Sequence, residues 1–265
     1  MKTLEFTRQT MAASQQVAVA SFELAIFSRN APELDKVNED AALICTDANK
    51  LLAAVADGAG GYEGGDDASQ FAIKALRKSI EDEFRAPIEM DIIQSFEHAH
   101  ERIRDSAGNS ATTLALVYLA DNSMRTFHVG DSGVLVIGGR GRLKYQTVAH
   151  SPTGHAIEAG TLDEDAALLH EDRYLVSNIL GHDPISIEIS TSLKLAARDT
   201  VLLASDGLFD NLYLTEICQL ARQRPIKKAC DALAEAASSR MTTLSDDLPN
   251  KVDDLTIVLV RLNNG

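Results

Sequence analysis

Apolar and polar residues change period several times along the chain, and each period assigns an element. Val17, Val19, Ser21, Glu23, Ala25 and Phe27 alternate with Ala18, Ala20, Phe22, Leu24 and Ile26. Both sets are partly apolar, which predicts one strand over 16–28 with both faces partly covered. Pro32 marks a loop over 29–37. Glu39 and Asp40 then open an apolar run, and Asp47-Ala48-Asn49 turns the chain into a second run at 51–56. The two runs predict a hairpin. Asp66 and Asp67 precede Ala68, Phe71, Ala72, Ala75, Leu76 and Ile80. That is the stripe of an amphipathic helix over 67–84, with acids in the first turn, where the helix dipole favours them. Ile92, Ile93, Phe96, Ala99 and Ile103 predict a second helix over 88–107, stopped by Gly108-Asn109.

After residue 110 the period shortens. Strands are predicted over 112–120, 124–129, 134–137 and 143–148, separated by turns rich in Gly, Asp, Asn and Ser. Short strands with tight turns make an antiparallel meander. Residues 150–183 follow no clean period, and a long irregular excursion between strands predicts a lid or surface loop. Its His150, His155, His170 and His182 share no ligand spacing and read as solvated surface. Strands over 185–189 and 200–204, helices over 214–222 and 226–239, a polar loop over 241–252 and a strand over 255–262 complete the chain. No repeat or linker divides it, so one α/β domain is expected over 1–265.

Composition narrows the function. The 265 residues are 45% hydrophobic, as in a globular protein, and the formal net charge is −14. A phosphate-gripping nucleic-acid binder would usually be basic, so no nucleic-acid partner is expected. No apolar stretch is long enough to span a bilayer, and residues 1–16 are too polar for a signal peptide, so a cytoplasmic protein is expected. Cys45, Cys218 and Cys230 are odd in number, far apart and set among apolar residues, which suggests small core side chains rather than zinc or disulfides. Gly58 to Gly65 could be read as a phosphate cradle, but it lacks the Lys-Ser/Thr ending of a nucleotide loop.

The acids fall where strands end: Glu39 and Asp40, Asp57, Asp131, Asp206 with Asp210, and Asp253 with Asp254. Asp is a common turn residue, but Asp-Gly follows an apolar strand twice, at Asp57-Gly58 and Asp206-Gly207. Carboxylates gathered at one end of a sheet repel unless protons or cations neutralise them. Oxygen ligands without His or Cys suit Mg²⁺ or Mn²⁺. A carboxylate bridging two such ions would lower the pKa of a shared water and clamp a phosphoryl group.

In this order the motifs Asn38-Glu39-Asp40-Ala41, Val55-Ala56-Asp57-Gly58-Ala59-Gly60-Gly61, Ala111-Thr112-Thr113, Val129-Gly130-Asp131-Ser132, Ser205-Asp206-Gly207-Leu208-Phe209-Asp210 and Asp253-Asp254-Leu255-Thr256 resemble the metal-dependent type 2C serine/threonine protein phosphatases, in a bacterial-like form. The resemblance spans nearly the whole chain. It implies a four-layer α-β-β-α sandwich, two antiparallel sheets flanked by helices, with 150–183 as a flap. It implies two Mn²⁺ or Mg²⁺ ions bridged by Asp57, one also held by Glu39 and the Gly58 carbonyl, the other by Asp206 and Asp253. Asp131 with Asp206 or Asp210 would match a weaker third-ion site. Asp40 would accept from metal-bound water, and a hydroxide bridging the ions would attack phosphoserine or phosphothreonine of a partner protein. It implies nothing about oligomeric state.

Four positions depart from the family pattern. Asp35 stands where an Arg usually grips phosphate, leaving Lys36 or Arg29 to substitute. Ala59 stands where many members carry His. Gly133 stands where Arg is frequent, and Asp254 where Asn is expected. The missing Arg motivates an alternative, a weak or inactive phosphatase-like regulatory module. A hydrolase of small phosphate esters is a third reading.

Overall fold

The computed structural model describes residues 1–19, 21–32, 36–59, 64–80, 84, 87–106, 109–243 and 248–263. Asp35, Gly60, Gly61 and the predicted helix stop at Gly108 lie outside the described residues. The elements are β1 (Lys2–Thr7), β2 (Gln15–Val19), β3 (Phe22–Arg29), β4 (Ala41–Asp47), β5 (Lys50–Ala56), α1 (Gly65–Ser79), α2 (Ile88–Arg104), β6 (Leu114–Ala120), β7 (Ser123–Val129), β8 (Gly133–Ile137), β9 (Leu143–Gln146), α3 (Pro152–Glu158), α4 (Glu164–Ala167), β10 (Glu188–Ile189), β11 (Leu193–Lys194), β12 (Thr200–Ala204), α5 (Asp206–Phe209), α6 (Leu214–Ala221), α7 (Ile226–Thr242) and β13 (Leu255–Leu262).

Two sheets form. One runs β1-β4-β5-β6-β7-β10, with β11 also on β7, and the other runs β2-β3-β13-β12-β8-β9. Adjacent strands in both pair antiparallel. The pleat explains why the first sheet reads as continuous apolar runs. Ala42, Ile44, Leu51, Ala53, Val55, Ala115 and Val117 face the second sheet, while Leu43, Cys45, Leu52, Ala54, Leu114 and Leu116 face α1 and α2. Both faces are buried there, so these positions are apolar on both sides. On the far side α7 packs on β3 and β13. Helices, sheet, sheet and helices give the four expected layers.

Three sequence expectations change. The strand over 16–28 is two antiparallel strands, β2 and β3, with Val19 opposite Phe22. β1 was not predicted; it pairs Lys2–Thr7 along the edge of β4. The irregular 150–183 contains α3, where Ser151 accepts from the backbone N–H of Gly154 at 2.9 Å and Pro152 takes the first turn. The three cysteines are free and buried, as expected of core side chains. Among the described residues no helix is long and apolar enough to cross a membrane.

Candidate active site

In an antiparallel sheet, the end of one strand lies beside the start of its neighbour. Ala41 at the start of β4 therefore faces Ala56 at the end of β5, and Leu114 at the start of β6 faces Val129 at the end of β7. Ala204 at the end of β12 lies opposite both Ile257 of β13 and Gly133 of β8. Each acid pair noted above sits just beyond one of these positions. Alternating chain direction thus delivers Glu39, Asp40, Asp57, Asp131, Asp206, Asp253 and Asp254 to the same edge of the sandwich.

Backbone contacts fix them there. Thr113 N–H donates to Asp57 O at 2.9 Å, Thr112 Oγ1 donates to the same oxygen at 2.8 Å, and Asp57 N–H donates to Thr113 Oγ1 at 3.2 Å. Gly58 N–H donates to Glu39 O at 3.3 Å, and a Cβ at Gly58 would stand 2.3 Å from Gly65 O. Asp254 accepts from Glu39 N–H at 2.5 Å and from Ala31 N–H at 2.7 Å. The Asp254 carboxylate is therefore a clamp that orients Glu39. Asp40 Oδ2 accepts from Ser205 Oγ at 2.7 Å, and Ser205 Oγ accepts from Thr256 N–H at 3.0 Å. That chain ties β4, β12 and β13 together at the acids.

A cleft of about 570 Å³ opens over this edge. Glu39, Asp57, Gly58, Asp131, Asp206 and Asp253 line it, with Lys36 among its other residues. Arg29 lines a separate cavity with Thr10 and Asp231, so of the two cations considered for phosphate only Lys36 reaches the acids. Asp210 is in neither of those sets; it lines a third cavity of about 300 Å³ that shares Asp131 and Asp206 with the cleft. Tyr174, Leu175, Ile179 and His182 bring the 150–183 segment to the cleft wall.

Burial and mutual repulsion raise the cost of charge on these acids. Burial, then repulsion from Asp206, Asp40, Asp253 and Asp131, holds Asp57 well above the usual carboxylate range. Burial and Asp254 do the same to Asp40. Burial and Asp206 push Asp253 to about 6, Asp131 to about 7 and Asp210 to about 8. Asp40 Oδ1 and Asp206 Oδ1 are buried and have no hydrogen-bond partner among the described residues. Orphaned carboxylate oxygens at this density call for a cation. An all-oxygen donor set fits Mg²⁺ or Mn²⁺.

Sequence reasoning missed Lys251. Its ammonium contacts Asp206, and lies 2.9 Å from Asp253 Oδ2 and 3.1 Å from Asp210 Oδ2. Only its place two residues before Asp253 hinted at this. Asn211, also missed, holds the Lys251 backbone from both sides, at 2.9 Å to its N–H and 2.9 Å to its carbonyl.

The histidines correct another expectation. His150 is not surface: it is buried and stacked 4.4 Å from His128. Its Nδ1 accepts from Gly130 N–H at 3.1 Å, which braces the turn that carries Asp131. His128, His150 and Glu188 do bring ligand-type atoms within 4.8 Å of one another. The two rings are only 24° from parallel, so their in-plane lone pairs run side by side instead of converging on an ion. This cluster reads as a brace. His155 is exposed, as expected.

The profile of the family "Protein phosphatase 2C" matches residues 29–249. The chain belongs to the protein phosphatase 2C family. Protein phosphatase PhpP of Streptococcus pneumoniae is 26% identical over 228 residues, covering 82% of this chain and 87% of that protein. The serine/threonine phosphatase PstP/Ppp of Mycobacterium tuberculosis superposes with a TM-score of 0.75 at 25% identity, covering 92% of this chain and all of that one. The catalytic domain of PstP solved in complex with two manganese ions gives 0.73 at 23% identity over 92% of this chain and 99% of that one. Family membership accounts for the two flanked sheets.

One glycine tests how tightly that edge is built. A Cβ at Gly207 would stand 1.9 Å from Asp254 O, a backbone atom that cannot rotate away. Gly207→Ala therefore forces the start of α5 away from the segment that enters β13, beside Asp206 and Asp253. We expect a destabilisation of about 1–3 kcal/mol, typical of overpacking. It should be read as a lower melting temperature together with weaker Mn²⁺ binding. Wild-type values for both would show that the two segments need not touch.

Proposed function

We propose that this chain is a metal-dependent phosphoprotein phosphatase that hydrolyses phosphoserine and phosphothreonine esters. One observation carries the reading: carboxylates from distant segments meet in a single cleft, and two buried oxygens, one on Asp206 in the cleft and one on Asp40 beside it, have no partner among the described residues. Glu39, Asp57, the Gly58 carbonyl, Asp206 and Asp253 would hold two Mn²⁺ or Mg²⁺ ions, and Asp131 with Asp206 or Asp210 a third. Ions held there supply Lewis acidity, lowering the pKa of water and polarising a phosphoryl oxygen.

The chain's own groups do the rest. Asp57 would contribute to both ligand sets. Asp40 keeps one oxygen on Ser205, and its other, buried oxygen has no partner among the described residues and would serve as a proton acceptor behind the cleft acids. Lys36 attracts the phosphate dianion as a point charge. Residues 1–265 act as one unit, with 150–183 as a flap over the cleft. We infer a cytoplasmic setting, with a phosphorylated protein as partner.

The test is hydrolysis of an aryl phosphate, a phosphothreonine peptide and a small alkyl phosphate at equal concentration, each with Mn²⁺ and with excess chelator. Turnover that needs Mn²⁺ and favours the peptide is expected. Full activity in chelator contradicts the reading. Lys36→Ala should raise KM about tenfold, the scale of one lost charge-assisted contact, with a smaller change in kcat. An unchanged KM would remove Lys36 from phosphate binding.

A further inference from the structure

We propose that Lys251 is a tethered third cation, its ammonium filling the space among Asp206, Asp210 and Asp253 that a third divalent ion would otherwise take. The inference rests on reading the cleft as a two-ion centre. Three observations lead to it.

The first is saturation. A lysine ammonium has three N–H donors and no acceptor. Lys251 has three carboxylate partners: Asp206, Asp253 Oδ2 at 2.9 Å and Asp210 Oδ2 at 3.1 Å. No donor remains for a substrate phosphate, so phosphate binding does not explain the residue. The second is placement. Asp206 and Asp210 are the alternatives assigned beside Asp131 to the weaker third ion, and Asp206 with Asp253 would also hold the second ion of the main pair. One positive charge therefore spans the boundary between the two sites. The third is rigidity. Asn211 is fully buried and grips the Lys251 N–H and carbonyl at 2.9 Å each, while also donating to Gly207 O at 2.9 Å. The backbone of Lys251 is thus fastened to the α5 turn that carries Asp206 and Asp210. From the other side, the ring of Tyr174 lies 5.5 Å from the ammonium and covers it. A lysine held this way behaves as part of the cluster.

Two consequences separate this role from an ordinary surface ion pair. The wild-type chain should bind two Mn²⁺ ions and not three. It should also keep its fold in chelator, because a permanent charge offsets part of the carboxylate repulsion.

The experiment uses the full chain as wild type, Lys251→Met, Lys251→Arg and the double variant Lys251→Met/Asp210→Asn, all purified with Mn²⁺ so that each folds. Calorimetric titration with Mn²⁺ after its removal, and melting in EDTA, are the readouts. Wild type and Lys251→Arg should bind two ions. Lys251→Met should bind a third at least tenfold more tightly than any extra ion on wild type. Its melting temperature in EDTA should fall by about 5 °C or more. Added Mn²⁺ should restore it, and so should Asp210→Asn. Three ions on wild type, or an unchanged count and melting temperature for Lys251→Met, overturns the proposal. If wild type binds no Mn²⁺ at all, the two-ion reading fails. The EDTA melting series then still decides whether Lys251 is the cluster's counter-charge.

Discussion

Asp57→Asn should abolish Mn²⁺-dependent phosphate-ester hydrolysis and, in the same sample, make the metal-free protein more stable. Asp57 lies where β5 ends, among Asp40, Asp131, Asp206 and Asp253, and every one of those charges raises the cost of its own. The amide has the same shape and no charge, and its N–H donors face carboxylate acceptors. Removing a buried, repelled charge relieves the metal-free fold. The same change removes the oxygen pair assigned to bridge the two ions. Several kcal/mol of transition-state stabilisation then go with it, which is at least about a 10³-fold loss in kcat. The gain in metal-free melting temperature should be about 2–8 °C. Asp206→Ala should also lose the activity. Circular dichroism suits the melting measurement, since the chain has no Trp. Unchanged turnover in Asp57→Asn would remove Asp57 from the chemistry. Lost turnover with a lower melting temperature would mean that the carboxylate holds the fold.

The second large effect is with pH. Asp253, Asp131 and Asp210, raised by burial and by Asp206 to about 6, 7 and 8, would titrate near 3.9 in the unfolded chain. Between roughly pH 4 and pH 8 the folded, metal-free protein binds protons that the unfolded chain has released. Stability from these groups is therefore full at low pH and is lost as pH rises through 6 to 8. Lys251 is shifted upward as well: burial lowers its pKa, but Asp206, Asp210 and Asp253 outweigh that and raise it, so it stays protonated. Its contribution is constant across this window. In EDTA the melting temperature should fall by about 5 °C or more between pH 5 and pH 8. With saturating Mn²⁺ the trend should reverse, because ions take the place of protons and bind better as protons leave. A metal-free melting temperature that rises with pH would contradict the cluster as described.

How much of this was legible in the sequence depends on the residue. Asp57 and Asp206 were readable because a buried strand that ends in Asp-Gly is unusual, and it occurs twice. The edge they share follows from antiparallel pairing alone. The break between β2 and β3 was not readable. Val19, Ala20 and Ser21 carry no Gly, Pro or Asn, so an alternating apolar run hid a turn. β1 carries the alternation Leu4, Phe6, but two apolar positions among polar neighbours are too short a pattern to mark a strand. Ser151-Pro152 was a readable helix start that the disorderly composition of 150–183 obscured. His150 could not be recognised as buried, since its partners His128 and Gly130 lie 20 or more residues away. Lys251 was missed for the same reason: a lone lysine in a polar loop has no period, and its importance comes wholly from which acids surround it.

The most direct measurement is anomalous diffraction from a crystal soaked in Mn²⁺. Two peaks within coordination distance of Asp57 are expected, one also touching Glu39 and Gly58 O, the other Asp206 and Asp253, with the Lys251 ammonium beside the second. Manganese bound elsewhere on the chain, with this edge of the sandwich left without ions at saturating concentration, would contradict the account.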